Sequence, residues 1–182
     1  MEIVTGHTGS EHITSVDAAM FNIAMFGSGE WGLNTLDKLA YEIISNNRID
    51  IKSGDIMMQG RHGRIAKNTK DQCSIDNGTQ GMQRRDMIAV RYRKSGEIES
   101  MDTVVIKGAP AASAKDPVLT TGDINAGATL HEMPLYRVTI DGLNITSVTK
   151  MFEDYPTLRR VRSGTKLPAS GKEGDIFLLR ES

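Results

Sequence analysis

The chain has one cysteine, Cys73, so it can form no internal disulfide and offers no cysteine-based zinc site. No apolar run approaches the roughly 20 residues of a membrane-spanning helix, so membrane insertion is not expected. Neither sign of charge is in excess: 22 Lys and Arg face 23 Asp and Glu, for a net charge of −1. That balance leaves no electrostatic footprint for wrapping DNA or an anionic membrane. Aromatics are sparse, at 5%. The stretch Met1 to His12 lacks the basic start and apolar core of a secretion signal, and assembly in a cytoplasm is the expectation.

What is present describes a folded domain. The 182 residues suffice for one domain with a small appendage and for a core that needs no staples. Hydrophobic residues at 38% and charged residues at 25% fit a globular protein. Eighteen glycines suit many turns between short strands, and ten methionines supply adaptable filler for cores and contact surfaces.

Thr14-Ser15-Val16-Asp17 has the form of a capping box, and Val16, Ala19, Met20 and Ile23 follow at helical spacing until Gly27. Phe21 and Met25 lie on other faces of the same helix, which is therefore apolar nearly all round and must be covered. The cover comes either from the chain's own domain or from a neighbouring subunit. On the second reading Val16, Met20, Phe21, Ile23, Met25 and Phe26 form an oligomer interface.

From about residue 33 the pattern becomes one of strands. Leu39 to Ile44 is apolar-rich, and Arg48 to Lys52 alternates strictly. Ser53-Gly54-Asp55 reads as a turn, with Ile56-Met57-Met58 opening the next strand. Asp86 to Tyr92, a bend at Lys94-Ser95-Gly96, and Ile98 to Lys107 form the best hairpin. Residues 108–125 read as a long connection. Leu135 to Ile140 is a further strand, turned by Asp141-Gly142 toward Ile145 to Val148. Residues 153–182 read as a C-terminal arm containing the basic Arg159, Arg160 and Arg162, with one strand at Ile176 to Leu179. The expectation is a mainly β domain over 33–152, a sandwich or partly open barrel of short antiparallel strands. A helix-bearing attachment segment over 1–32 precedes it.

No motif assembles a coherent active site. Gly27-Ser28-Gly29-Glu30-Trp31-Gly32 matches G-x-G-x-x-G, but a dinucleotide site needs a strand before it and a helix after it, and here the order is reversed. A helix stop and turn is the better reading, and no cofactor is expected. His7, His12, His62 and His131 have no metal-ligand spacing; an ion shared by His7 and His12 at a symmetry axis is weaker than ordinary surface polarity. Cys73 is read as a small buried residue. Glu97, Glu99 and Asp102 cluster on the hairpin and read as a solvated face, not as paired catalytic carboxylates. Arg61, His62, Arg64, Lys67, Arg84, Arg85, Arg91 and Arg93 read as inter-subunit salt bridges or plain solvation, since only Tyr92 stands nearby for stacking. No catalytic, cofactor or metal residues are assigned.

The segment Asn77-Gly78-Thr79-Gln80-Gly81-Met82-Gln83-Arg84-Arg85-Asp86-Met87-Ile88-Ala89-Val90-Arg91-Tyr92 resembles structural proteins of Firmicutes phages and prophages. The likeness continues through Val104-Val105-Ile106-Lys107-Gly108-Ala109-Pro110, Asp116-Pro117 and Glu132-Met133-Pro134-Leu135-Tyr136-Arg137-Val138. Gly6-His7-Thr8-Gly9, His12-Ile13-Thr14-Ser15 and Met58-Gln59-Gly60-Arg61 look like the same group, so it covers about residues 1–152. Leu167 to Phe177 resembles short modules of phage fibres. These relatives are baseplate, fibre-attachment or receptor-binding-protein shoulder components. The resemblance implies a virion location, no catalysis, and homo-oligomeric assembly with other virion proteins as neighbours. A trimer is the first expectation and a dimer the next. A capsid-surface or head-fibre role is the alternative within that class. Outside it stands a host cell-surface glycan binder, for which Trp31, with Tyr41, would be the aromatic platform.

Overall fold

In a computed structural model of the chain, residues 13–156, 160–170 and 175–180 are described. Helix α1 spans Ser15–Phe26. The Thr14 hydroxyl accepts from the Asp17 amide at 3.1 Å, and Asp17 Oδ2 accepts from the Thr14 amide at 3.0 Å, closing the capping box. Gly27, at φ 78°, ends the helix.

Two four-stranded antiparallel sheets form the body. The first contains β1 (Glu30–Gly32), β2 (Tyr41–Ser45), β3 (Arg48–Met58) and β4 (Arg61–Ser74). β3 is central; β4 pairs along one edge, while β1 and β2 share the other edge at its two ends. The second contains β5 (Gln83–Ser95), β6 (Ile98–Ile106), β7 (Leu130–Asp141) and β8 (Asn144–Lys150), in the order β6-β5-β7-β8. The fold is a sandwich, with no barrel closed by hydrogen bonds between the sheets. The strands are longer than the sequence suggests, reaching 14 residues in β4 and 13 in β5.

Strand periodicity places the core. Ile49 and Ile51, then Ile56 and Met58, face inward from β3, and Ile88, Val90 and Tyr92 face them from β5. Between Lys52 and Gly54 the β3–β4 register shifts, which moves the inward set from odd to even positions. The expected turn at Ser53-Gly54-Asp55 is therefore part of one continuous strand, and the surplus residues of the irregularity, 66–69, lie on β4. The reason is tertiary: the amides of Asp37 and Leu39 donate to the Ser53 carbonyl, giving that backbone partners that keep it extended. A second shift, at Leu135 in β7, lets Met133 and Leu135 join Tyr136, Val138 and Ile140 in the same core.

The β5–β6 hairpin turns at Gly96-Glu97, with Gly96 at φ 60°, and β7–β8 at Gly142-Leu143, with Gly142 at φ 58°. After Phe152 the chain runs beside β1: Gly32 donates to the Glu153 carbonyl (2.9 Å), and Tyr155 to that of Gly32 (2.7 Å). The body thus takes in residues on both sides of 33–152. In the C-terminal arm β9 (Arg160–Gly164), unexpected from sequence, pairs in parallel with β10 (Asp175–Leu179).

Candidate functional site

Docking against the β3–β4 turn fixes which side of α1 meets the body. Ala19 is buried, the Asn22 amide group donates to the Gly60 carbonyl at 2.8 Å, and the Phe26 ring meets Tyr155 edge-on at 5.0 Å. A methyl group at Gly60 would come within 2.5 Å of the Ala19 carbonyl oxygen and 2.8 Å of Ile23. Of the six residues expected at an interface, Ile23 and Phe26 are half-buried toward the chain's own body. Val16, Met20, Phe21 and Met25 stand exposed on the opposite side, Phe21 by 69% and Met25 by 60%. Soluble monomers rarely present such a contiguous apolar stripe without a use for it.

Beside α1, a groove of about 460 Å³ is floored by Arg61, Tyr92 and Glu99. The Tyr92 hydroxyl donates to Glu99 Oε1 at 2.7 Å, and Arg61 Nη2 lies 3.5 Å from the same oxygen. Burial acts to raise the Glu99 carboxyl, but the Tyr92 hydroxyl and the Arg61 charge outweigh it and hold it below the usual range. Burial, and then Glu99, pushes the Tyr92 phenol up to about 12. Glu99 is thus not on a solvated face, unlike Asp102, which lies exposed 3.8 Å from Arg93.

A second groove, of about 650 Å³, lies where β1, the β3–β4 turn and the loop before β7 converge. Gln59, held at φ 47°, accepts from the Ile124 amide at 2.8 Å and donates to the Gly122 carbonyl at 2.9 Å. His131 is buried; its Nδ1 accepts from the Gly122 amide at 3.0 Å. Nε2 lies against the Glu30 carboxylate, off a hydrogen-bond line. With Nδ1 accepting, the neutral ring carries its proton on Nε2, so neither nitrogen offers a lone pair to a metal. Among the described residues no three His, Cys, Asp or Glu side chains converge as a metal site. His7 and His12 lie outside the described residues.

Most of the basic residues form ion pairs within the chain, a correction to inter-subunit bridging or simple solvation, while Lys67 stays exposed. Arg84 pairs with Asp86, Arg91 with Glu132, and Arg85 and Arg137 with Asp116. His62 and Arg64 both reach Asp55, at 2.7 and 2.6 Å. Burial acts to raise Asp55, but bonds from Thr35, Arg64 and His62 prevail and lower it. Asp55, Asp86 and Glu132 sit where strand register and period lay them against an arginine, and Asp116 reaches Arg85 and Arg137 from the connection before β7, which is an architectural use.

Cys73 is buried in β4 opposite Ile49, and burial pushes its thiol up to about 12, so it is a poor nucleophile. Trp31 is half-buried and edge-on to Tyr155 at 5.9 Å, while Tyr41 packs on Tyr136 at 5.1 Å. They lie at opposite ends of β3, so no shared aromatic platform forms. The glycine motif enters β1 from a helix, as its residue order implies.

Sequence reasoning missed Gln59, Glu132 and Asp50 as organising residues. A polar-Gly dipeptide between two strands, as in Gln59-Gly60, is the signal that was there for the first. Nothing local marks the other two. No protein-family model matches the chain, and no curated protein matches it.

Proposed function

We propose that this chain is a non-enzymatic structural subunit of a tailed-phage particle, a tail, baseplate or fibre-attachment component that works by homo-oligomeric assembly. The observation that carries the reading is the exposed stripe Val16, Met20, Phe21 and Met25 on a helix anchored by its other side. Burying such side chains against a partner contributes about 1.5–3 kcal/mol each when complete, which is ample for specific association. The likeness of residues 77–92, 104–110 and 132–138 to phage structural proteins supports the particle context. The absorption of the charged side chains into internal pairs supports an architectural role over catalysis. Light scattering tests this directly. The single chain is 19.9 kDa, and a trimer is expected first, a dimer next. Phe21→Ser with Met25→Ser should reduce either to the single-chain mass without loss of β-sheet signal. A stable monomer before substitution would overturn self-assembly.

A further inference from the structure

The arm offers a second unpartnered surface. Among the described residues, β9 and β10 pair only with each other, in parallel. Parallel sheets are ordinarily covered on both faces, and a two-stranded unit is marginal by itself. In β10, Ile176 and Leu178 project to one side and Leu179 to the other, with exposures of 44%, 56% and 61%. Among the described residues, the α1 stripe and this pair of strands both present exposed apolar side chains in the single chain.

Charge says how they match. Residues 1–32 contain Glu2, Glu11, Asp17 and Glu30 and no lysine or arginine. Residues 157–182 contain Arg159, Arg160, Arg162, Lys166, Lys172 and Arg180. Against these stand only Glu173, Asp175 and Glu181, while the charges of residues 33–156 cancel. Two helix stripes, or two arms, would bring like charges together; a stripe and an arm bring opposite ones.

We infer that the arm of one copy packs on the exposed face of α1 in a second copy, joining subunits head to tail. This rests on the homo-oligomeric reading above and specifies its contact. Such a contact uses different patches on the two partners, so it closes into a ring, extends as a filament, or closes as a two-fold dimer when two copies exchange arms reciprocally.

Cross-linking tests it. A Met25→Cys chain and a Leu178→Cys chain, of distinguishable mass, are mixed and oxidised in air with a copper catalyst; Phe21→Cys with Ile176→Cys is a second pair. Native Cys73 is buried and does not compete. A mixed disulfide-linked species from either pair is the expected result. Self-linking of the Met25→Cys chain, with no mixed species, would overturn the inference in favour of helix-to-helix contact while leaving self-assembly intact. An intrachain link in a chain carrying both Met25→Cys and Leu178→Cys, with none in the mixture, would show the arm folding onto its own helix and overturn it too. A monomeric mass with no links would overturn both readings. As an independent measure, Lys166→Glu with Arg180→Glu should weaken association about tenfold at low salt and less at 1 M salt, where such charges are screened. The same loss at both salt concentrations would count against the charge match.

Discussion

Arg84 and Asp86 stand two positions apart on β5 and bind each other through two parallel hydrogen bonds of 2.9 Å, with 2% and 1% of their side chains exposed. They lie on the same strand face as Ile88, Val90 and Tyr92, so the pair ends the core. Arg84 also donates to the carbonyls of Asp76 (2.6 Å) and Asn77 (2.9 Å), and Asp86 accepts from the Gly108 amide (2.9 Å). One ion pair thereby ties the connection before β5 to the one after β6.

Removing one member leaves the other charged and buried. Asp86→Ala or Arg84→Ala should each cost about 3–5 kcal/mol in urea unfolding. Arg84→Met combined with Asp86→Leu should cost less than the two single losses together, because no charge is stranded. A loss under 1 kcal/mol for Asp86→Ala would show that the pair does not organise this end of the sandwich.

Asp50 is buried between Arg48 and Lys70, at 2.7 and 2.6 Å, and hydrogen bonds from both hold its carboxyl down at about 2 against an ordinary 3.8. The folded state therefore releases this proton more readily than the unfolded one. Its contribution is present above the ordinary value and lost as pH falls from about 4 through about 2. Asp55, Asp76 and Asp116 are shifted the same way. Asp50→Asn should lower the urea midpoint at pH 7 and flatten its fall between pH 4 and 2. An unchanged acid slope would assign the acid sensitivity to the other lowered carboxyls, Glu99 among them.

Where the β3–β4 register shifts, Gly54 lets residues 37–40 cross close by. A methyl group there would meet the Leu39 amide nitrogen at 2.5 Å, a backbone atom that cannot swing away. Gly54→Ala should cost about 1–3 kcal/mol, seen as a lower thermal midpoint. No change would mean that the 33–40 segment yields freely.

The Cys73 thiol, pushed up to about 12 by burial, is almost wholly protonated at neutral pH. Native protein should react with a disulfide reagent such as Ellman's at least a hundredfold more slowly than urea-unfolded protein. Equal rates would place Cys73 at the surface.

Short-range features were legible in the sequence because their causes are short-range. The Thr14–Asp17 cap, the Gly27 stop and the hairpin around Gly96 depend on residues within a few positions of one another. The strict alternation of Arg48 to Lys52 placed Ile49 and Ile51 in the core, since side-chain direction follows strand period. The mainly β class followed from these.

Tertiary structure alone decided the rest. Ser53-Gly54-Asp55 looks like a turn, yet partners 16 residues earlier keep it in β3. Arg84 has the composition of a surface residue, and only strand register, which continues the core face past Ile88, carries it inside. Glu99 left the solvent because Tyr92 and Arg61 arrive from other strands. A helix apolar nearly all round could not say which side is covered; docking against the β3–β4 turn chose Ala19 and Ile23 and left Val16, Met20, Phe21 and Met25 outside. Pattern specifies what a residue can do locally, whereas burial and pairing are properties of chain segments meeting across the fold.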